Sequence, residues 1–518
     1  MRALGWAVAM AVTACSGKAT VVAATADTGP GASDGGASAS SQQPDGGTAT
    51  QLDGGAATQP DGGQTTISGQ PDAGSPSARG GGDWMQYRHD ARGVSMNQGD
   101  FSVADAQSLV PRWTIELGQY VYTQAMIADD LVVFTTAFSG KVVAVDAQTG
   151  ATRWTRTLNS QISTTCGGST QPGFWAAPAL DSAAVYVASP DGHAYALSRA
   201  DGSTLWATKV ADPSAAGHGE FIQSSPSLSA AYGKVFLGVA SSFHCDEVAG
   251  RLVALDLATG ALQAAPLVGP GQQGATVWST VSVAEEEDRL YVATGNRIGD
   301  PAAEPNAQAI LAVDAHSLAV VDRWQNPTTL QNADFGSSPT LIDQGGLKLV
   351  AATSKDGWLY VLRRSSLAAG PLWKFQLATV DPAHPDEGGD PTVGFGSISS
   401  PTVANGLLIA AGGRTPEGDP GSVVAFDPAT GAVVWKHLTP GFVIAPVAAA
   451  GAVAVVESSA PDATKSTLEL LDLSTGAAVA RFDRPIGTFA APSVGHGLIV
   501  WTDAFGHVTA LSMPPASH

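Results

Sequence analysis

From Trp84 onward the chain alternates short apolar runs with polar turns, and the same order of runs keeps returning. Leu131-Val-Val-Phe134 is followed by a turn at Ser139-Gly140, the run Lys141 to Asp146, the turn Gln148-Thr149-Gly150, and then Trp154. Val185-Tyr-Val187, Asp191-Gly192, Ala194 to Leu197, Asp201-Gly202 and Trp206 repeat that order. Further copies begin at Val235, Leu290, Leu349, Leu407 and Val453, and a last one runs from Leu498 to Leu511. Runs of this length bounded by Asp, Gly and Thr read as strands and hairpins. In the turns Asp accepts local backbone N–H bonds and Gly supplies the positive φ.

The period sets the architecture. Gly150 to Gly202 is 52 residues and Gly202 to Gly260 is 58, so residues 84 to 515 hold eight copies of about 54. A four-stranded sheet repeated at such a period buries its faces only by stacking on its neighbours, which is how a β-propeller holds together. The expected fold is therefore all-β, an eight-bladed propeller. The last copy stops before its outer strand, while Arg112-Trp-Thr-Ile-Glu-Leu117 precedes the first copy as an outer strand without a sheet. Pairing the two closes the ring and removes the exposed edges. Trp154, Trp206 and Trp435 each lie four residues after a turn Gly, where they are expected to pack between neighbouring sheets.

Composition alters the picture mainly at the N-terminus. Arg2, an apolar stretch from Ala3 to Val12 and Val12-Thr13-Ala14-Cys15 read as a lipoprotein signal with Cys15 as the lipidated residue. This places the protein at the cell envelope, outer membrane or periplasm-facing, with a lipid anchor as its membrane contact. Residues 16–82 are low-complexity, with Asp-Gly-Gly recurring at Asp34, Asp45, Asp53 and Asp61, and are expected to form a disordered linker before the propeller of 83–518. The net charge of −20 repels phosphate backbones and argues against nucleic-acid binding. Three Cys occur in all. With Cys15 lipidated, Cys166 and Cys245 remain, as one disulfide or as two separate thiols. His218-Gly-Glu220 and His244-Cys245 fit no standard zinc spacing, and the acidic loop His384 to Asp390 reads as solvated.

The Ala-x-Asp-x-x-Thr-Gly-x-x-x-Trp repeat resembles the tryptophan-docking motif of the pyrroloquinoline quinone (PQQ) dehydrogenase propellers, over essentially everything from Trp84 onward. That resemblance implies a flat tricarboxylate quinone held with a calcium ion, and four positions match the family pattern in its order. Trp278, in Thr276-Val-Trp-Ser279, resembles the tryptophan stacked under the quinone. Asn296, in Ala293-Thr-Gly-Asn296, matches an amide ligand to calcium. Asp334, in Ala333-Asp-Phe-Gly336, matches the catalytic carboxylate, which also reaches the metal. Lys355, in Thr353-Ser-Lys-Asp-Gly357, matches the basic residue at the quinone oxygens. These strings look closest to the polyvinyl-alcohol dehydrogenase branch.

Two departures accompany the match. The adjacent Cys pair common in the family is absent, with a Cys166–Cys245 bridge as the implied substitute, and the glutamate ligand is matched only by Glu247 or Asp246. No Cys-x-x-Cys-His is present to attach a c-type haem, so the family reading requires a separate electron acceptor beside an alcohol substrate. Each residue also has a plainer reading: Trp278 as core, Asn296 as a turn residue, Asp334 as a cap, Lys355 as a solvated hairpin charge. If those hold, the ring is a protein-binding scaffold, similar to the propellers that help assemble outer-membrane proteins. Convergence of the four side chains separates the two.

Overall fold

The computed structural model describes residues 82–99, 101–137, 139–158, 173–214, 219–241, 248–462, 464–485, 487 and 490–514. The expectations on the signal, the linker, Cys15, Cys166, Cys245, Asp246 and Glu247 fall outside them. Eight antiparallel sheets follow one another along the chain, and the eight-bladed propeller is borne out. Blade 1 comprises Met126–Ala128, Leu131–Thr135, Lys141–Asp146 and Thr152–Thr157, from the axis outward. Blades 4 and 5 repeat this order from Ser282–Ala284 to Val320–Gln325 and from Thr340–Gln344 to Pro371–Gln376. Blade 8 takes three strands from the C-terminal end, and Val110–Glu116 pairs antiparallel with His507–Ser512 as its fourth. The ring closes as the orphan strand implied, and that closure leaves blade 8 no missing strand.

Repeated tryptophans lock five of the blades to the next one. Trp113, Trp154, Trp206, Trp373 and Trp435 each donate Nε1–H, at 2.9 Å, to the carbonyl of Ala147, Arg199, Leu257, Pro428 and Leu473 in turn. In every case that carbonyl lies three residues before a turn glycine of the following blade. At Gly202 an added Cβ would meet the Trp154 ring at 2.6 Å, and at Gly476 the Trp435 ring at the same distance. Glycine is therefore needed there twice over, for its positive φ and for the room it leaves the indole.

A second circuit runs around the axis. Ala177 N, Ser225 N, Thr280 N and Ser338 N donate to the hydroxyls of Ser225, Thr280, Ser338 and Ser400, each in the next blade, at 2.8–3.1 Å. These buried hydroxyls satisfy backbone donors that the narrow inner strands leave unpaired.

The N-terminal part of the propeller closes one end of the axis. Trp84 pairs with Ile127, and Met85, Ala91, Arg92, Val94 and Ser95 accept from Leu180, Val283, Leu341, Val403 and Ala449. Gln86 accepts from Leu228, and Asn97 donates to Val494. One residue of each inner strand is thus touched in turn by this belt. At its centre the buried Arg88 donates to Gly93 O, Ser338 O, Pro339 O, Thr340 Oγ1 and Ser282 Oγ. Burial pulls its pKa down to about 10, so it stays charged at neutral pH. The belt was not legible as such, because residues 84–97 carry no repeat and bury themselves only against the ring.

Candidate active site

The belt supplies a register. Ile127, Leu180, Leu228, Val283, Leu341, Val403, Ala449 and Val494 are equivalent positions of the eight inner strands. Five residues before each lies a rim position on the face opposite the belt, reached by the connections that enter the inner strands. In blades 1 to 7 those positions hold Tyr122, Trp175, Gln223, Trp278, Gly336, Ile398 and Ile444. The residues just before them, Val121, Phe174, Ile222, Val277, Phe335 and Val443, are buried, whereas Tyr122, Trp175, Gln223 and Trp278 are half-buried.

Trp278 therefore reaches the mouth because of its place in the repeat. Gly336, its counterpart in blade 5, makes room for it: a Cβ there would stand 2.0 Å from Trp278 Cη2 and 2.6 Å from Ile398 Cγ2. Asp334 sits two residues before Gly336 and is buried, with its side chain 4% exposed. Its Oδ2 accepts from Trp278 Nε1 at 2.8 Å, and its Oδ1 lies 2.9 Å from Lys355 Nζ. That ammonium stands 5.0 Å from the centre of the Trp278 ring, within range of a cation–π attraction. Lys355 tops the hairpin between Leu347–Thr353 and Trp358–Arg363. Its backbone N donates to Asp334 O at 3.1 Å, and its own carbonyl accepts from Gly389 N at 2.6 Å. Just behind it, Asp356 accepts from Asn326 Nδ2 at 2.7 Å and from Tyr360 OH at 2.6 Å, which pins the hairpin.

Asn296 is a neighbour of this triad without touching it. Its Nδ2 donates to Asn332 Oδ1 at 3.0 Å, two residues before Asp334, while its Oδ1 is buried with no hydrogen-bond partner. An orphaned amide oxygen costs about 1–3 kcal/mol, and it is a good ligand for a hard cation. Among the described residues no three His, Cys, Asp or Glu side chains group as a metal site. The donors that fit calcium here are the Asn296 amide oxygen and the Asp334 carboxylate. The structure thus brings Trp278, Asp334 and Lys355 into contact and sets Asn296 beside them. Asn332 and Gly336 are the residues that sequence reading missed. Gly336 had a signal, since it occupies the same register as Trp278, whereas Asn332 had none.

A carboxylate–ammonium pair against an indole, at the mouth of a propeller axis, is the convergence that the resemblance to the quinoprotein propellers implied. The comparisons agree. The chain belongs to the PQQ_2 family, described as outer membrane protein assembly factor BamB, whose model matches residues 102–368 and 366–513. It is 27% identical over 386 residues to the polyvinylalcohol dehydrogenase of Sphingopyxis sp. (strain 113P3), covering 65% of this chain and 56% of that one. It is 26% identical over 336 residues to quinohemoprotein alcohol dehydrogenase ADH IIB of Pseudomonas putida, covering 55% and 46%. The chain thus spans about half the length of these relatives. Among solved structures, the quinohemoprotein alcohol dehydrogenase of Comamonas testosteroni superposes with TM-score 0.65 at 18% identity, over 84% of this chain and 81% of that one. BamB from Moraxella catarrhalis is more distant, with TM-score 0.50 at 16% identity over 79% and 99%. Both structural likenesses speak for the fold.

Proposed function

We propose that this propeller is a PQQ-dependent alcohol dehydrogenase assisted by calcium. The observation that carries the reading is the Trp278–Asp334–Lys355 contact, with the unpartnered Asn296 Oδ1 beside it. PQQ, when bound, supplies the two-electron oxidant for the alcohol carbon, and calcium the Lewis acid that polarises it. Trp278 offers the flat apolar surface on which a planar ring lies. Asn296 and Asp334 hold the cation, joined by Glu247 on the sequence match. Lys355 would face the quinone oxygens, and its ammonium holds the Asp334 carboxylate in place. Asp334 would take the hydroxyl proton of the substrate, and the quinone would be the acceptor for the hydride of the alcohol carbon. A separate acceptor then receives the electrons, and Cys15, as the lipid attachment, keeps the propeller at the envelope.

Calorimetric titration of PQQ into the protein, with and without calcium, followed by dye reduction over a panel of alcohols, tests this. No Lys or Arg lies in the eight connections that enter the inner strands, so the three carboxylates of PQQ find few cations and binding should require calcium. Asp334→Asn should still bind PQQ while losing about 10²–10⁴-fold in turnover. Retained turnover in that variant removes the base assignment. A second reading, a non-catalytic scaffold that binds proteins, is favoured by the description of the matching family, and absence of PQQ binding with calcium present would select it.

A further inference from the structure

Asn296 can serve a cation only if its amide oxygen faces the site, and its own torsions do not decide that. The last side-chain torsion of Asn is broad and nearly two-fold, so a half-turn exchanges the acceptor for two N–H donors. Turned the other way, the amide would meet a cation with its N–H groups. Here the orientation is set from outside. Asn296 Nδ2 donates to Asn332 Oδ1 at 3.0 Å, and Oδ1 is the end left buried without a hydrogen-bond partner among the described residues. Asn332 itself is exposed, so the amide is anchored at its solvent end and presents its oxygen at the buried end.

The backbone around Asn332 is held from two sides. Asn332 takes the left-handed conformation, with φ 53°, which Asn tolerates better than most residues. On the blade 4 side, Phe335 N donates to Thr294 O at 3.2 Å and Arg297 Nη2 to Thr328 O at 3.0 Å. These bonds bring the connection into blade 5 against the segment that carries Asn296. On the other side stands the acidic loop His384 to Asp390. Gln331 N donates to Asp386 O at 2.9 Å, Gly388 N to Gln331 O at 2.6 Å, and Gly389 N to Lys355 O at 2.6 Å. A Cβ at Gly388 would stand 2.5 Å from Asn332 O, so only glycine lets the loop approach this closely. One loop therefore braces both Asn332 and Lys355.

We propose that Asn332 is a positioning residue for the cation: it holds the Asn296 amide so that the oxygen, and not the nitrogen, faces the metal. The inference rests on the dehydrogenase reading, which supplies the calcium ion, and goes beyond it in naming what orients the ligand. Asn332 acts through Asn296 and is not itself a ligand. Partners of this kind, which orient a ligand without binding the metal, contribute about 10–100-fold to metal affinity.

The test is calorimetric titration of calcium into the full chain, alone and with PQQ present. Asn332→Gly keeps the left-handed backbone and removes the acceptor. Asn332→Asp keeps an oxygen at that place and, ionised, only accepts, so it holds the Asn296 amide the same way round. Asn332→Gly should bind calcium about 10–100-fold more weakly than the parent. Asn332→Asp should bind it at least as tightly as the parent, and weaker binding there overturns the positioning role. In an Asn296→Ala background, Asn332→Gly should cost less than about a further twofold, because no amide is left to orient. Equal calcium affinity in the parent and Asn332→Gly overturns the role and leaves the dehydrogenase reading intact. So does a loss that persists at full size in the Asn296→Ala background, which would mean that Asn332 acts on the fold and not through the amide. No calcium uptake by the parent, alone or with PQQ, removes the dehydrogenase reading and the role of Asn332 with it.

Discussion

Blades 4 and 5 and blades 1 and 2 build equivalent stretches of one rim from different materials. In the first pair the register positions and their neighbours hold Trp278, Asp334 and Gly336, with the half-buried ammonium of Lys355 set against them. In the second they hold Tyr120, Tyr122 and Trp175, with no Lys or Arg in the surrounding loops. The same contrast extends to the floor, since the Arg88 guanidinium hydrogen-bonds blades 4 and 5 through Ser282, Ser338, Pro339 and Thr340. A repeat fold fixes where side chains point and leaves their chemistry open, so one sector can carry an ion pair and another a stack of aromatic rings.

The sharpest way to break that comparison, after loss of turnover in Asp334→Asn, is to remove the Lys355 cation. Lys355→Met leaves the Asp334 carboxylate, only 4% exposed, with Trp278 as its remaining side-chain partner. An uncompensated buried charge of this kind costs about 3–5 kcal/mol. The variant should melt well below the parent, and adding Asp334→Asn should return most of the loss, because the charge is then gone. Equal melting temperatures for the single and double variants would show that the pair is not desolvated. A smaller effect belongs to Gly336→Ala. Its methyl would stand 2.0 Å from Trp278 Cη2, so the indole must move, at a cost of about 1–3 kcal/mol. Urea melts measure that cost, and PQQ affinity should fall.

How much of this was legible in the sequence follows from what repeats. The blades, the turn glycines, the docking tryptophans and the closing strand recur at a period, and each was readable because its copies resemble one another. Asp334 and Lys355 were readable only through family resemblance, since one carboxylate and one amine 21 positions apart carry no spacing signal of their own. Their contact is made by ring geometry. The connection before blade 5 and the hairpin within it meet at the mouth, tied by the Lys355 N to Asp334 O bond. The aromatic stack and the belt escaped notice for opposite reasons. Tyr122 and Trp175 look like ordinary strand-entry aromatics until the register aligns them with Trp278. Residues 84–97 repeat nothing at all, and only contact with every inner strand gives them a role.

Acidity acts on a third group, outside both of these sectors. Glu457, in the second strand of blade 7, is 1% exposed, and burial raises its carboxyl well above the ordinary carboxylate range, with the Ser459 hydroxyl donating to it at 3.2 Å. The folded chain therefore keeps a proton that the unfolded chain releases above its ordinary pKa of about 4.3. Stability from this group is complete below that pH and falls as pH rises toward the raised folded value, by about 1.4 kcal/mol per unit. Glu457→Gln preserves the shape and removes the proton equilibrium. Its melting temperature should depend less on pH than the parent's across pH 5 to 8, with the gain over the parent growing toward the alkaline end. Parallel curves for the two proteins would mean that Glu457 ionises freely in the folded ring.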